Sequence, residues 1–275
     1  MKNLFDTHNH SQFSFDGKRT SAELSARSAL DKGLGGIVFT DHYDIYIPDI
    51  PGEDMPRPQD FDICTQQAEL QRVQDTLGSH IKVLKGIEMG MNAGCREQAR
   101  EVLERHSFDQ VIASVHYLDN SDPYYGVFFE GKNWKEAYGQ YLEYIYNELV
   151  LLQDFDIVGH YDYVARYAPY EQDCIRYEDF SDIFDTLFRY LIENGKALEI
   201  NTKSGSGSKG RATSPDPALL VRYREMGGEA ISLGSDSHTP EGVADRFGDY
   251  ASLLKSLGFR WTSHYQKRRL VQLPL

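Results

Sequence analysis

The chain has 275 residues and an acidic balance, 29 Lys+Arg against 42 Asp+Glu, for a formal net charge of −13. A surface of that charge repels nucleic acid and anionic membrane, yet it admits a small anionic substrate where bound divalent cations reverse the local potential. Three widely spaced cysteines, Cys64, Cys95 and Cys174, fit free thiols in a reducing cytoplasm. No secretory leader is visible, and no apolar run approaches the roughly 18 residues of a membrane helix, so the chain reads as soluble and cytoplasmic.

Short apolar runs alternate with helical patterns along the whole chain. Leu4–His8 is the first candidate strand, followed by Gly36–Thr40, Val83–Glu88, Val111–Val115, Asp156–Gly159, Ala197–Asn201 and Ala230–Gly234. Several are continuous apolar runs, as expected where both faces of a parallel sheet are covered. Thr20-Ser21-Ala22-Glu23 reads as a capping box opening a helix that stops near Lys32-Gly33, and Asn133 with Glu136 caps a long helix reaching about Gln153. Ser214-Pro215 and Thr239-Pro240 read as cap residues ahead of a first-turn proline. Seven β–α units without a composition break predict one domain over residues 1–275, an α/β barrel rather than an open sheet. Two long connections, Tyr43–Asp62 and the aromatic Tyr117–Asn133 (Tyr124, Tyr125, Phe128, Phe129), follow strands and would stand on the active face as lids or substrate walls.

The strand ends carry the chemistry. Phe5-Asp6-Thr7-His8-Asn9-His10 places His8 and His10 two residues apart, on the same side of a strand, with Asp16 six residues on. The later strands end in Asp41-His42, Glu88, His116, His160, Asn201, and Asp236 with His238. In a parallel barrel these C-terminal ends meet on one face, and six of the nine histidines fall there; His80, His106 and His264 fall in helical or loop contexts and read as solvated. Any one of these histidines is more often a hydrogen-bonded core group than a ligand. Packed together with Glu88, Asp16 and Asp236, they would repel or stay unsatisfied without cations. The candidate ligands, His8, His10, Asp16, His42, Glu88, His116, His160, Asp236 and His238, are too many for one tetrahedral ion and enough for two or three sharing a carboxylate. The nitrogen and oxygen donors suit Zn, Mn or Fe.

The pattern HxH…DH…E…H…H…DxH resembles the PHP (polymerase and histidinol phosphatase) family of metal-dependent phosphoesterases, from Asp6 to about Phe259. The resemblance implies a distorted (β/α)7 barrel, TIM-barrel-like, with a trinuclear site at the strand C-termini. It implies that His8, His10, Glu88 and Asp236 hold one ion, that Glu88 bridges to a second held by His116 and His160, and that Asp16, His42 and His238 hold a third. Many family members carry a histidine where this chain has Asp16. The aspartate looks like the histidinol phosphatase branch, as do Leu198-Glu199-Ile200-Asn201-Thr202 and Gly234-Ser235-Asp236-Ser237-His238.

Such a cluster suits hydrolysis of a phosphate monoester, because paired cations activate a shared water and neutralise the phosphoryl oxygens. Asp236 or His238 then manages protons, including protonation of the leaving alkoxide. Arg166 and Arg211 supply planar forks for phosphate, as the resemblance implies for these loops, and Lys203 is a weaker third candidate. Gly205-Ser206-Gly207-Ser208-Lys209-Gly210 lacks the spacing of a P-loop and reads as a flexible lid segment. The expected substrate is a small phosphate ester, L-histidinol phosphate by resemblance. Alternatives are another small phosphate ester, a phosphotyrosine, or a non-catalytic metal-binding module; nucleic acid and membrane are not expected partners.

Overall fold

A computed structural model describes residues 1–44, 61–118, 121–203 and 213–275. One sheet contains β1 (Phe5–Asn9), β2 (Gly36–Phe39), β3 (His42–Tyr43), β4 (Lys82–Gly90), β5 (Gln110–Ser114), β6 (Ile157–Val158), β7 (Ala197–Asn201) and β8 (Ile231–Gly234). Seven of these run in the order β1-β2-β4-β5-β6-β7-β8, all parallel, while β3 pairs with β4 beyond the end of β2. The path nearly closes on itself. Past the end of β8, Asp236 N–H donates to His8 O at 2.8 Å and His10 N–H donates to Ser237 O at 2.9 Å. The expected barrel of seven β–α units is therefore the observed one.

Helices cover the outside because their apolar stripes match the strands beneath. On α1 (Ala22–Asp31), Ala22, Ala26 and Ala29 are buried. On α2 (Trp134–Leu152), Tyr138, Tyr141, Leu142, Ile145 and Leu149 form the buried stripe, recurring at three- and four-residue intervals. The capping box at Asn133 and Glu136 is present at the start of α2. Two caps differ from the sequence reading. Ser21, not Thr20, accepts from Leu24 N–H to open α1, and Glu23 pairs with Arg27 and Arg72 instead of closing a capping box. The helix Pro217–Glu225 is capped by Asp216 with Pro217 in its first turn, so Ser214-Pro215 lies upstream of it.

A feature that the alternation pattern did not predict closes the other end of the barrel. Strands β9 (Trp261–Gln266) and β10 (Arg269–Pro274) form an antiparallel hairpin. It packs under the strand starts, where Tyr265 joins Ile112, Ile157, Ala197 and Ala230 in an apolar cluster. Gln110 ties it in, its amide oxygen accepting from Tyr265 N–H while its amide nitrogen donates to Thr7 O at 2.7 Å. His264, expected to be solvated, is instead 2% exposed and stacked on the Phe5 ring at 3.7 Å. With the strand starts plugged, the ligand-type side chains are left to the opposite face.

Candidate metal centre

Glu88, near the end of β4, is the hub. Parallel pairing sets His42 of β3 directly beside it. The buried carboxylate has five imidazoles around it: His42 Nδ1 at 2.6 Å, His160 Nε2 at 3.0 Å, His8 Nε2 and His116 Nε2 each at 3.3 Å, and His10 Nε2 at 3.6 Å. Asp236 Oδ1 lies 3.3 Å from His10 Nε2, and Asp16 Oδ2 lies 2.9 Å from His238 Nε2 and 3.7 Å from His42 Nε2. All nine ligand candidates named from the sequence are thus brought to one face.

Backbone geometry makes the crowding possible. Gly234 ends β8 where a Cβ would stand 2.5 Å from that of His8 and 2.3 Å from Glu199 Oε1, so only glycine fits there. Asp236 follows with φ of 50°, a left-handed conformation that aspartate tolerates better than most residues. Asp41, read from sequence beside the ligand types, turns away from the cluster. Its carboxylate accepts from Ser11 N–H at 2.5 Å, from Ser14 Oγ at 3.0 Å and from Gln66 Nε2 at 2.7 Å, fixing the turn that carries His10 into place.

Four of the histidines are anchored through Nδ1 with Nε2 turned inward. His8 Nδ1 meets Glu199 Oε1 at 2.7 Å, His10 Nδ1 meets Ser14 Oγ at 2.9 Å, His116 Nδ1 meets Asp44 Oδ1 at 3.1 Å, and His238 Nδ1 meets the Asp236 carbonyl at 3.0 Å. An acceptor on Nδ1 holds that nitrogen's proton and leaves the Nε2 lone pair for a cation. The inward atoms His8 Nε2, His10 Nε2, His238 Nε2, His42 Nδ1 and Glu88 Oε2 are buried, and among the described residues none makes a hydrogen bond of proper geometry, although His42 Nδ1 lies 2.6 Å from Glu88 Oε2 and His238 Nε2 lies 2.9 Å from Asp16 Oδ2. Buried polar atoms in that state are uncommon in proteins, and a set of them converging on one space fits metal ions. Among the described residues, metal-compatible triads are His8-His10-Asp236, His8-Glu88-His160, His42-Glu88-His116 and His10-His42-His238, with donor atoms within 4.8 Å of one another.

Charge is balanced between the partners. Burial disfavours the Glu88 carboxylate, but His8, His42 and His116 outweigh it and hold the group well below the usual carboxylate range. Burial likewise opposes an imidazolium at His8, where Glu88 and Glu199 reverse the sign and raise its pKa. At His10, burial together with His238 and His42 pushes the imidazole well down.

Asp44 and Glu199 were missed as site residues in the sequence reading, although both left a signal. Glu199 is a charged residue inside the apolar run Ala197–Ile200, and Asp44 lies two residues past His42, on the same side of the extended chain. Arg166, on the short helix Tyr163–Tyr167, is 6% exposed; its Nη1 donates to Asp236 Oδ2 at 3.1 Å while Nε and Nη2 have no partner among the described residues. Lys203 Nζ lies 3.1 Å from Asp236 Oδ1. Arg211 and the segment Gly205–Gly210 lie outside the described residues, as does most of Tyr43–Asp62. Of the aromatic connection, Tyr124 and Tyr125 line a cavity of about 410 Å³ at the centre's mouth, whereas Phe128 and Phe129 are buried in the core.

A barrel with this cluster at its C-terminal face defines a class of metal-binding hydrolase scaffold. Residues 6–203 match the PHP domain, and the chain belongs to that family. A histidinol-phosphatase from Lactococcus lactis is 32% identical over 262 residues, covering 94% of this chain and 93% of its own length. A probable histidinol-phosphatase from Clostridium acetobutylicum is 31% identical over 257 residues, covering 94% and 95%. The crystal structure of a Lactococcus lactis histidinol phosphate phosphatase, complexed with zinc, L-histidinol and phosphate, superposes with a TM-score of 0.83 at 28% identity, covering 98% of this chain and 99% of that one.

Proposed function

We propose that the chain is a metal-dependent phosphomonoesterase that hydrolyses L-histidinol phosphate to L-histidinol and phosphate, acting in the cytoplasm in histidine biosynthesis, with residues 1–275 forming one PHP-type domain. The observation that carries this reading is Glu88 with five imidazoles within 3.6 Å, an arrangement that fits cations among them. Likeness to the Lactococcus lactis enzymes supports the choice of substrate.

Two to three divalent ions, Zn, Mn or Fe, would occupy the centre. His8, His10, Glu88 and Asp236 would hold one, Glu88 with His116 and His160 a second, and Asp16, His42 and His238 a third. Bound there, such ions supply an activated water and positive charge for the phosphoryl oxygens. The chain's own groups do the rest. Arg166 offers Nε and Nη2 to phosphate while its Nη1 stays on Asp236. Lys203, on the same carboxylate, adds a second cation. Burial opposes ionisation of Asp236, but Lys203, His10, His8 and Arg166 hold it well below the usual range, so it stays an anionic ligand and is a weak base. His238 could give a proton to the leaving alkoxide only with the third ion absent, because an Nε2 bound to a metal has none to donate. Arg211 completes the phosphate-binding set by resemblance alone, and Arg211→Ala is expected mainly to raise KM.

A substrate panel on metal-replete protein, ranked by kcat/KM, tests the reading. Histidinol phosphate should lead over mononucleotides, phosphotyrosine and p-nitrophenyl phosphate. Metal-loaded protein that turns over none of them would instead be a binding module, and a different leading ester would reassign the substrate.

A further inference from the structure

Asn201 ends β7, and the parallel register sets it beside Gly234 of β8, two residues before Asp236. Its side chain is buried, and both of its polar atoms are used. Nδ2 donates to Glu199 Oε2 at 3.3 Å and to Asp236 Oδ2 at 3.3 Å, while Oδ1 accepts from Lys203 N–H at 3.2 Å. An amide nitrogen carries two hydrogens, one for each carboxylate. The amide fits only this way round. Reversed, it would set its oxygen against two carboxylate oxygens and leave Lys203 N–H facing a donor.

The two carboxylates that share this nitrogen serve one group of ligands. Glu199 Oε1 holds His8 from behind, 2.7 Å from Nδ1, and Asp236 joins His8 and His10 in one metal-compatible triad. The two oxygens of Asp236 have different neighbours. Oδ2 accepts from Asn201 Nδ2 and from Arg166 Nη1, whereas Oδ1 lies 3.3 Å from His10 Nε2 and 3.1 Å from Lys203 Nζ. Held by Oδ2, the carboxylate presents Oδ1 to the triad. The same amide closes the turn that carries Lys203 back to that oxygen.

We propose that Asn201 is a positioning residue for the ion held by His8, His10 and Asp236. Its nitrogen ties the carboxylate that orients one ligand to the carboxylate that is another, and it acts through both. The triads His42-Glu88-His116 and His10-His42-His238 contain neither Asp236 nor a histidine anchored by Glu199, so the effect falls on one ion and spares the rest. The proposal rests on the metal-binding reading above and adds the residue that joins its supports.

Asn201→Asp keeps the shape and the acceptor for Lys203 N–H and removes both donors, whereas Asn201→Ala removes all three contacts. Zinc-loaded parent and variants are titrated with a chelator, and the zinc retained is counted by elemental analysis. In both variants one ion should come off at about 10- to 100-fold higher free zinc than in the parent, with the others released as in the parent. Excess zinc should then return p-nitrophenyl phosphate turnover by Asn201→Asp to within about threefold of the parent, a rescue that a damaged fold would not show. Zinc release by Asn201→Asp that matches the parent reduces Asn201 to a turn former and overturns the proposal, whatever Asn201→Ala does. Equal weakening of every ion, or turnover that zinc does not restore, overturns it as well. A parent protein that binds no zinc removes the metal-binding reading itself, a result distinct from a loaded parent with an unaltered variant.

Discussion

Glu199 grips His8 from behind, its Oε1 2.7 Å from the imidazole Nδ1, while its Oε2 accepts the backbone N–H of His160 at 2.6 Å. One carboxylate on β7 thereby fixes a histidine of β1 and the backbone that carries another after β6. Glu199→Gln keeps the shape and removes the charge. It is expected to weaken metal binding by about 10- to 100-fold, the usual cost of losing a carboxylate behind a metal-bound histidine. Chelator competition measures this directly, and unchanged affinity would detach Glu199 from the centre.

Glu88 is the carboxylate that five imidazoles share. Replacement by alanine leaves His8, His10, His42, His116 and His160 facing one another without their common anion. Glu88→Ala should lose bound metal and lower kcat on the order of 10³-fold or more, the scale of losing a preorganised charge-stabilising group. Elemental analysis alongside turnover checks both halves. A variant that retains its full metal content would show that the carboxylate is not a ligand.

Arg166 tests the phosphate end of the cavity. Its buried guanidinium spends one nitrogen on Asp236 and leaves two without a partner among the described residues, which a lysine cannot reproduce. Arg166→Lys is expected to lower kcat/KM about 100-fold through misplacement of the phosphoryl group, and to weaken inhibition by inorganic phosphate in parallel. Loss of turnover with phosphate inhibition intact would assign Arg166 to holding Asp236 alone.

The barrel and its ligand face were legible because the chain repeats one unit, an apolar run ending in a chemically active side chain. Parallel pairing then forces those ends together without any knowledge of the contacts. What escaped was whatever lacked that periodicity. The terminal hairpin is antiparallel, and its strands are only partly buried, so the run from Trp261 to Pro274 carries no continuous apolar signal. Glu199 and Asp44 escaped because their role is to hold other residues. A carboxylate behind a histidine differs from one on a surface only in the three-dimensional neighbour that it meets.

The hairpin that sequence periodicity overlooked carries its own titratable probe. His264 stacks on Phe5 at the plugged end of the barrel, and burial, with some help from Lys82, lowers its pKa from 6.5 to about 4. Between those values the unfolded chain binds a proton that the folded chain refuses. Stability therefore falls as pH drops from 6.5 towards 4, and His264 contributes no pH dependence above that window. By pH 5 the loss attributable to this one group is about 2 kcal/mol. His264→Phe preserves the stack on Phe5 and cannot titrate, so its urea midpoint should fall less than that of the parent protein between pH 7.5 and pH 5. Metals are removed from both proteins beforehand, so that titration of the centre cancels in the comparison. Parallel pH profiles for the two proteins would mean that His264 protonates without cost, and that the plugged end of the barrel admits water.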